Sequence, residues 1–363
     1  MKVAIFGVGY IGSVCCAGLV DICEEIFLVD VDQEKLDSIK NKNFKFPEPS
    51  VSQKINAANN IRTDFERKDI HACGAALLCL ATEPLSNGRL DLSVVKEVVD
   101  ELNKLGFSGD IIIRSTLDFD LDEISELSRV QNLFVVPEFL REGSALSDFL
   151  NGECLVVGAA DSSRSSNFIE NYLSRFSKQL LVTNIESAIF IKLLNNSWHA
   201  LKVVFSNDWS RIAKSIPSVS VKDVYTAFCA DTKLNMSPAY HRPGGPYGGP
   251  CLTKDIQAFS SLIPDDVPSM FPHVIDLNKF HIIELSDECF RTLKMRDIFK
   301  FSFNTLEFKK GTDDERHSPI IEIINRLEAV FEAQFVSLDS DEEKVVFDGR
   351  RILDEGIVLE VDV

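Results

Sequence analysis

Cys251 closes the run Gly248-Gly249-Pro250-Cys251, and Lys254 and Asp255 follow it by three and four residues. This places one thiol in a glycine-rich turn that backbone and ligand can approach closely, beside an ammonium that favours the thiolate, the nucleophilic form of cysteine. A lone cysteine in a loop is also readable as a small buried residue, and this segment alone leaves both readings open. Pro250 adds a constraint, because proline fixes φ and lacks the N–H that could have donated to an oxyanion beside the sulfur.

Two more constellations can carry chemistry. Lys192, Asn196, His199 and Val203 are spaced i, i+4, i+7 and i+11, which puts them on one helical face. The surrounding Ile189, Ile191, Leu193, Leu194, Trp198, Leu201 and Val204 are apolar enough to bury most of such a helix, and buried polar groups need partners. The face is either a solvated stripe or a polar wall toward a ligand, with Lys192 donating to developing negative charge. The other constellation is Gly7-Val8-Gly9-Tyr10-Ile11-Gly12, a GxGxxG run between an apolar strand and a helix. Its glycines allow a tight turn, close approach of a pyrophosphate and close helix–strand packing, and the helix N-terminus faces the phosphate. Asp30 ends the next strand 18 residues after Gly12, where a carboxylate binds both ribose hydroxyls and repels a 2′-phosphate, so NAD is expected over NADP. Lys35 lies a turn further on, within reach of the adenosine end.

These groups need a frame. Strand-like residues 2–6, 26–30, 75–80, 111–114, 133–136, 155–157 and 180–182 alternate with helical stretches 12–19, 92–105 and 167–177. That alternation predicts an α/β fold with an N-terminal, Rossmann-like, doubly wound and mostly parallel sheet over residues 1–184. Residues 186–214 form one helical stretch without Pro or Gly, followed by shorter helices at 221–230 and 255–262, which predicts a central all-helical domain over 185–290. The long helix carries more apolar surface than one monomer face needs, so a homodimer through it is expected. Residues 264–272 contain prolines and read as a connector. A strand–helix–strand pattern returns from 298, with a helix near 319–331, giving a small C-terminal α/β domain over 291–363.

Composition narrows the classes. A net charge of −18 argues against nucleic-acid partners, whose phosphates would be repelled. Nine cysteines without a CxxC pair or His/Cys ligand spacing suit a reducing compartment and predict neither a metal site nor a disulfide framework. The N-terminal apolar run is too short for a signal peptide, and the longest other one, 72–81, is about half of what spans a bilayer. A cytoplasmic location without a membrane partner is expected.

The chain resembles the nucleotide-sugar 6-dehydrogenases, the family of UDP-glucose and GDP-mannose dehydrogenases. The resemblance rests on residues 7–12 with Val29-Asp30-Val31-Asp32, Glu48-Pro49, Cys79-Leu80-Ala81-Thr82, and Asn87-Gly88-Arg89-Leu90-Asp91-Leu92. It continues through Ser115-Thr116, Pro137-Glu138-Phe139-Leu140-Arg141-Glu142-Gly143, the 192–196 helix, the 248–251 turn with Lys254-Asp255, and residues 308–319. Residues 198–203 and 233–244 resemble the GDP-mannose branch, and Asn235 stands where an arginine is usual in UDP-sugar members.

The resemblance implies a four-electron oxidation of a sugar C6 alcohol to a carboxylate with two NAD, GDP-mannose to GDP-mannuronate being the first expectation. Cys251 would form a thiohemiacetal and then a thioester. The implied catalytic residues are Cys251, Lys192, Asn196, Asp255, Glu138 and Thr116. Those implied around NAD are Gly7, Gly9, Tyr10, Ile11, Gly12, Asp30, Lys35, Thr82, Thr116, Glu142, Lys254 and Arg316. The nucleotide sugar would meet Glu138, Leu140, Lys192, Asn196, His199, Asn207, Tyr240, Arg242, Gly245 and Lys309.

The pattern also departs from the family. Glu83 replaces a proline after Thr82, Leu117-Asp118-Phe119-Asp120 replaces a Pro-Gly-Thr, and Pro250 replaces the serine before the cysteine. Only about 65 residues follow Ile298, fewer than in the family's C-terminal domain. Another nucleotide sugar, such as a UDP-hexose or UDP-N-acetylhexosamine, and a homologue that binds NAD or nucleotide sugar without turnover are the competing expectations.

Overall fold

The computed structural model describes residues 1–86, 89–130, 132–161, 166–237, 245–249, 253, 256, 260, 263, 266–306, 315, 317–349, 360 and 361. The chain divides into two compact units, Met1–Ala200 and Leu201–Val363.

The first unit is built on eight strands, β1 Lys2–Phe6, β2 Glu25–Val29, β3 Ile61–Arg62, β4 Ala75–Leu78, β5 Asp110–Ile113, β6 Leu133–Val135, β7 Gly152–Ala159 and β8 Ser177–Thr183. Their order is β3-β2-β1-β4-β5-β6-β7-β8. The pairings are parallel except β6 with β7, where Phe134 faces Ala159 and Val135 faces Gly158. β1 shows why these strands read as continuous apolar runs: Val3 and Ile5 enter the core on one face, Ala4 and Phe6 the core on the other. Helices α1 Tyr10–Leu19, α2 Gln33–Lys40, α3 Pro49–Ala57, α4 Ser93–Lys104, α5 Leu121–Ser128 and α6 Ala145–Leu150 supply the rest of both layers. Strand order reverses between β1 and β4, so the ligand crevice of such a sheet lies at their carboxyl ends.

The helical stretch expected at 167–177 is present: it opens as α-helix at 167–168, continues as a π turn at Ile169–Leu173 and a 3-10 turn at Ser174–Phe176, and gives way to β8 at Ser177. The Ser174 hydroxyl donates to the Glu170 carbonyl, competing with the backbone ladder at that point.

Helix α7, Ile185–Ser215, runs for 31 residues. It starts where the Asn184 Oδ1 accepts the Ser187 N–H at 2.7 Å, and neither Pro nor Gly interrupts it. The second unit contains α8 Val221–Ala230, α9 Phe271–Arg296, α10 Pro319–Phe331 and a sheet ordered β10-β9-β11-β12. These strands are β9 Lys300–Phe303, β10 Gln334–Phe335, β11 Val345–Phe347 and β12 Glu360–Val361.

Residues 266–270 are irregular as the connector reading expects, and helix α9 trims that connector only at 271–272. Pro272 stands in its first turn, where a missing N–H leaves no hydrogen bond unmade. At the other end Asp297 takes φ 56° and its N–H reaches the Leu293 and Lys294 carbonyls. Leu285, Cys289 and Leu293 of α9 then pack with Ile320, Ile323 and Leu327 of α10 onto Phe301, Val345 and Phe347. No helix among the described residues is long and apolar enough to cross a membrane.

Candidate active site

The three glycines after β1 occupy three different environments. Gly7 has φ +85°, and a Cβ there would lie 2.5 Å from the Cys79 carbonyl oxygen. A Cβ on Gly12 would lie 1.8 Å from the Gly7 oxygen, so only glycine lets α1 approach the strand this closely. A Cβ on Gly9 would meet nothing within 4 Å, which leaves that position open to a ligand. Gly9 is also the N-cap of α1, with no side-chain cap and no acidic residue in the first turn. The helix N-terminus therefore keeps N–H groups and positive dipole for a phosphate.

Asp30 follows β2 and accepts the Val8 N–H at 2.5 Å and the Asp32 N–H at 2.9 Å, which fixes its carboxylate beside the turn. Lys35 lies 3.8 Å from Asp30 and 3.6 Å from Asp32. The donor set fits a dinucleotide: pyrophosphate at the α1 turn, ribose hydroxyls on Asp30. Gly12→Ala is expected to fold poorly, by about 1–3 kcal/mol or more of overpacking. Gly9→Ala should keep the wild-type melting temperature and lose NAD affinity; thermal melts paired with NAD titration distinguish the two effects.

At the carboxyl ends of β4 and β5, Thr82 and Thr116 come together, the Thr82 hydroxyl donating to the Thr116 carbonyl at 2.8 Å. Ser115 ties the same two segments, accepting the Leu80 N–H at 2.8 Å and donating to the Leu80 carbonyl at 2.8 Å. The acidic loop that departs from the family pattern is partly neutralised, one guanidinium facing two carboxylates: Arg89 pairs with Asp118 at 2.7 Å and with Asp120. Asp120 is held below the usual carboxylate range first by the Glu123 N–H and then by the Arg89 guanidinium, and it caps α5. Glu83 is exposed.

The loop after β6 meets α7 in the first unit. Lys192 is 5% exposed, and its Nζ donates to the Glu138 backbone carbonyl and to Glu138 Oε1, both at 2.6 Å. The Leu140 N–H holds the other oxygen, Oε2, at 2.8 Å, and the Phe139 ring lies 5.6 Å from Nζ. An ammonium has three donors, so among the described residues these two bonds leave one N–H for a ligand. The shared helix face is only partly a buried wall, because Asn196 and His199 are exposed. Tyr10 accepts the Gly143 N–H on its hydroxyl at 3.1 Å, linking the dinucleotide turn to the loop that carries Leu140 and Glu142.

In the second unit, the turn that leads into Cys251 is anchored on both sides. Tyr247 and Asn278 exchange two hydrogen bonds of 2.9 and 3.0 Å. Gly249 has φ +84° and donates to the His317 carbonyl at 3.0 Å. A Cβ on Gly248 would lie 2.4 Å from Pro319, at the start of α10. The 317–319 segment thus buttresses the 247–249 segment. Gly245 is half-buried beside it. Asn235 donates to the Phe228 carbonyl at 3.2 Å, so its amide caps α8. Cys251, Lys254, Asp255, Tyr240, Arg242, Lys309, Arg316 and Pro250 lie outside the described residues, as does the side chain of Asn207.

Two residues escaped the sequence reading. Glu48, noted only as part of a motif, is 8% exposed and accepts the Ala145 and Leu146 N–H groups at 2.8 and 3.1 Å, capping α6 from a distant segment. Its signal was an acidic residue before Pro49, but its target lies 97 residues away. Arg114, at the end of the apolar run 111–113, is 5% exposed, and its Nε has no hydrogen-bond partner. A charge continuing a buried strand was the available signal.

Residues 1–176 match the NAD binding domain of the UDP-glucose/GDP-mannose dehydrogenase family, and residues 186–279 match its central domain. GDP-mannose 6-dehydrogenase of Pseudomonas putida is 30% identical over 349 residues, covering 90% of this chain and 78% of the relative. A putative UDP-glucose 6-dehydrogenase of Bacillus subtilis is 28% identical, covering 90% of this chain and 79% of the relative. Among solved structures, a ternary complex of GDP-mannose dehydrogenase from Pseudomonas aeruginosa superposes with a TM-score of 0.79 at 27% identity, covering 96% of this chain and 81% of that one.

Proposed function

The chain belongs to the UDP-glucose/GDP-mannose dehydrogenase family of NAD-dependent nucleotide-sugar 6-dehydrogenases, and from that premise we propose that it oxidises the C6 alcohol of GDP-mannose to the uronate. The α1 turn at Gly9 and the Asp30 carboxylate would hold NAD, which would supply the hydride acceptor for both oxidations.

The other steps fall to the chain's own residues. The Cys251 thiolate attacks the C6 aldehyde: an S–C bond forms and the carbonyl π pair moves onto oxygen. The remaining N–H of Lys192 donates to that oxyanion, with Asn196 as second donor, while Glu138 holds the ammonium in place. At the thioester stage Asp255 takes a proton from water as it adds to the acyl carbon, and the S–C bond breaks to return the thiolate. Thr82, Thr116, Glu142, Lys254 and Arg316 complete the cofactor side in this reading. Leu140, His199, Asn207, Tyr240, Arg242, Gly245 and Lys309 meet the nucleotide sugar.

The observation that carries this reading is the buried Lys192–Glu138 pair, with one donor left over among the described residues, set in the unit that also bears the open Gly9 turn. The likeness to GDP-mannose 6-dehydrogenases supports the choice of sugar nucleotide. A UDP-hexose is the second reading, favoured by the Bacillus subtilis relative. NADH formation followed at 340 nm with a panel of GDP- and UDP-sugars decides between them. Two NADH per GDP-mannose are expected; turnover of a UDP-sugar alone would replace the substrate assignment.

Phe190, Leu194 and Trp198 form an exposed apolar stripe at i, i+4 and i+8 on α7. A homodimer that covers this stripe is part of the proposal. Sedimentation at micromolar concentration should give about twice the 40.6 kDa chain mass; a monomer mass would reject it.

A further inference from the structure

Helix α6 is six residues long, too short to hold its shape without outside ties. Its own N-cap residue, Ser144, does not cap it with its side chain. The cap comes from Glu48, which stands at the start of α3 with Pro49 fixing the backbone after it. Glu48 Oε2 accepts the Ala145 N–H at 2.8 Å, and Oε1 accepts the Leu146 N–H at 3.1 Å and the Ser50 hydroxyl at 3.2 Å. The residue is 8% exposed, so water competes little for these bonds.

From α6 the ties run back along the loop after β6. Asp148, within α6, accepts the Arg141 N–H and Nε on Oδ2, both at 2.9 Å, and Nη2 on Oδ1 at 2.6 Å. The neighbouring Leu140 N–H holds Glu138 Oε2 at 2.8 Å. Glu138 Oε1 takes the Lys192 ammonium at 2.6 Å. The direction of Lys192 Nζ is thus set by a carboxylate whose loop is pinned to α6, and α6 is pinned by Glu48. The Arg141 side chain is 74% exposed, so its pair with Asp148 contributes little by itself. The buried anchor of the series is Glu48.

We propose that Glu48 is a positioning residue for the oxidation: by fixing α6 it holds the 138–146 loop where Glu138 aims the Lys192 ammonium at the oxyanion. The inference rests on the proposed role of Lys192 as oxyanion donor. A displacement of about 1 Å in such a group can cost about a hundredfold in rate, so a brace remote from the chemistry can still govern it.

Glu48→Gln tests this, because it keeps the side-chain length and one acceptor oxygen. At saturating NAD and GDP-mannose its kcat is expected to fall roughly 10- to 100-fold, with the NAD Kd and the GDP-mannose KM within about twofold of wild type. A double-mutant cycle with Lys192→Met separates positioning from general support of the fold. If Glu48 acts through Lys192, adding Glu48→Gln to Lys192→Met lowers kcat by less than about twofold more. A further loss as large as in the wild-type background would overturn the proposal, as would a fall in NAD affinity that matches the fall in kcat. Asp148→Asn breaks the middle link and leaves Glu48 in place. It should show the same dependence on Lys192 and replaces Glu48→Gln if that variant does not fold; additive losses there count equally against the proposal.

Melting temperatures of the same four proteins need no turnover. With the loop released, Glu138 can reach water once Lys192 is gone. The melting shift caused by Lys192→Met should therefore shrink by about half or more in the Glu48→Gln background. Equal shifts in the two backgrounds would overturn the linkage whether or not any nucleotide sugar is oxidised. Wild-type turnover in Lys192→Met, by contrast, would overturn the proposed oxyanion role, while a shrunken melting shift would still uphold the linkage from Glu48 to the buried pair.

Discussion

Cys251→Ala is expected to make no uronate while binding NAD as the wild type does. Without the thiol there is no covalent adduct to carry the aldehyde into the second oxidation, so acid formation should fall by about three orders of magnitude or more. NAD affinity should hold because Gly9, the α1 N-terminus and Asp30 lie in a different segment and unit from residue 251. Cys251→Ser refines the result. Its hydroxyl is the poorer nucleophile and an acyl ester is hydrolysed more slowly than a thioester, so intact-protein mass spectrometry should find a sugar-nucleotide adduct on the enzyme. Wild-type uronate formation by Cys251→Ala would remove this residue from the mechanism. Pro250 makes the experiment pointed, since the N–H that a serine would offer beside the sulfur is missing here. In the proposed mechanism the oxyanion then relies on Lys192 and Asn196.

Lys192→Met should damage two properties that a double variant can separate. The ammonium is 7% exposed and the Glu138 carboxylate 13% exposed, so removing one leaves the other nearly dry and unpaired. Breaking such a pair costs about 3–5 kcal/mol, and for a unit of this size the melting temperature should fall by roughly 6–20 °C. Turnover should drop by about two to three orders of magnitude through loss of the oxyanion donor. In Lys192→Met with Glu138→Gln, no buried charge is left over, so the melting temperature should largely return while turnover stays low. Recovery of both in the double variant would mean that Lys192 only braces the loop after β6 and takes no part in the chemistry.

Some features were legible because their causes are local. The GxGxxG turn needs a strand, three glycines and a helix start within a dozen residues, and Gly7, Gly9 and Gly12 occupy three environments that match the three roles. The 31-residue α7 was legible because an uninterrupted apolar period without Pro or Gly has few alternatives. Helix α9 was missed because Pro272 was taken as punctuation, although at a helix start proline is no obstacle. The 167–177 stretch was legible as helical, while its π and 3-10 character was not, because a hydroxyl competing with the backbone ladder leaves the hydrophobic period almost unchanged.

By itself, then, the sequence determined which residues share a strand, a turn or a helix face, because spacing fixes direction within an element. That was enough for the family, the sheet and the dinucleotide turn. Only the tertiary structure decided what each polar group meets. Lys192 could have faced solvent, and it is packing that brings it to Glu138, 54 residues earlier. Glu48 reaches α6 across 97 residues, and Arg89 draws the acidic 118–120 loop onto itself. Arg114 ends a buried strand with its Nε unpartnered. Burial makes such pairings worth several kcal/mol, or costly when absent, and burial belongs to the assembled layers rather than to any one segment of the chain.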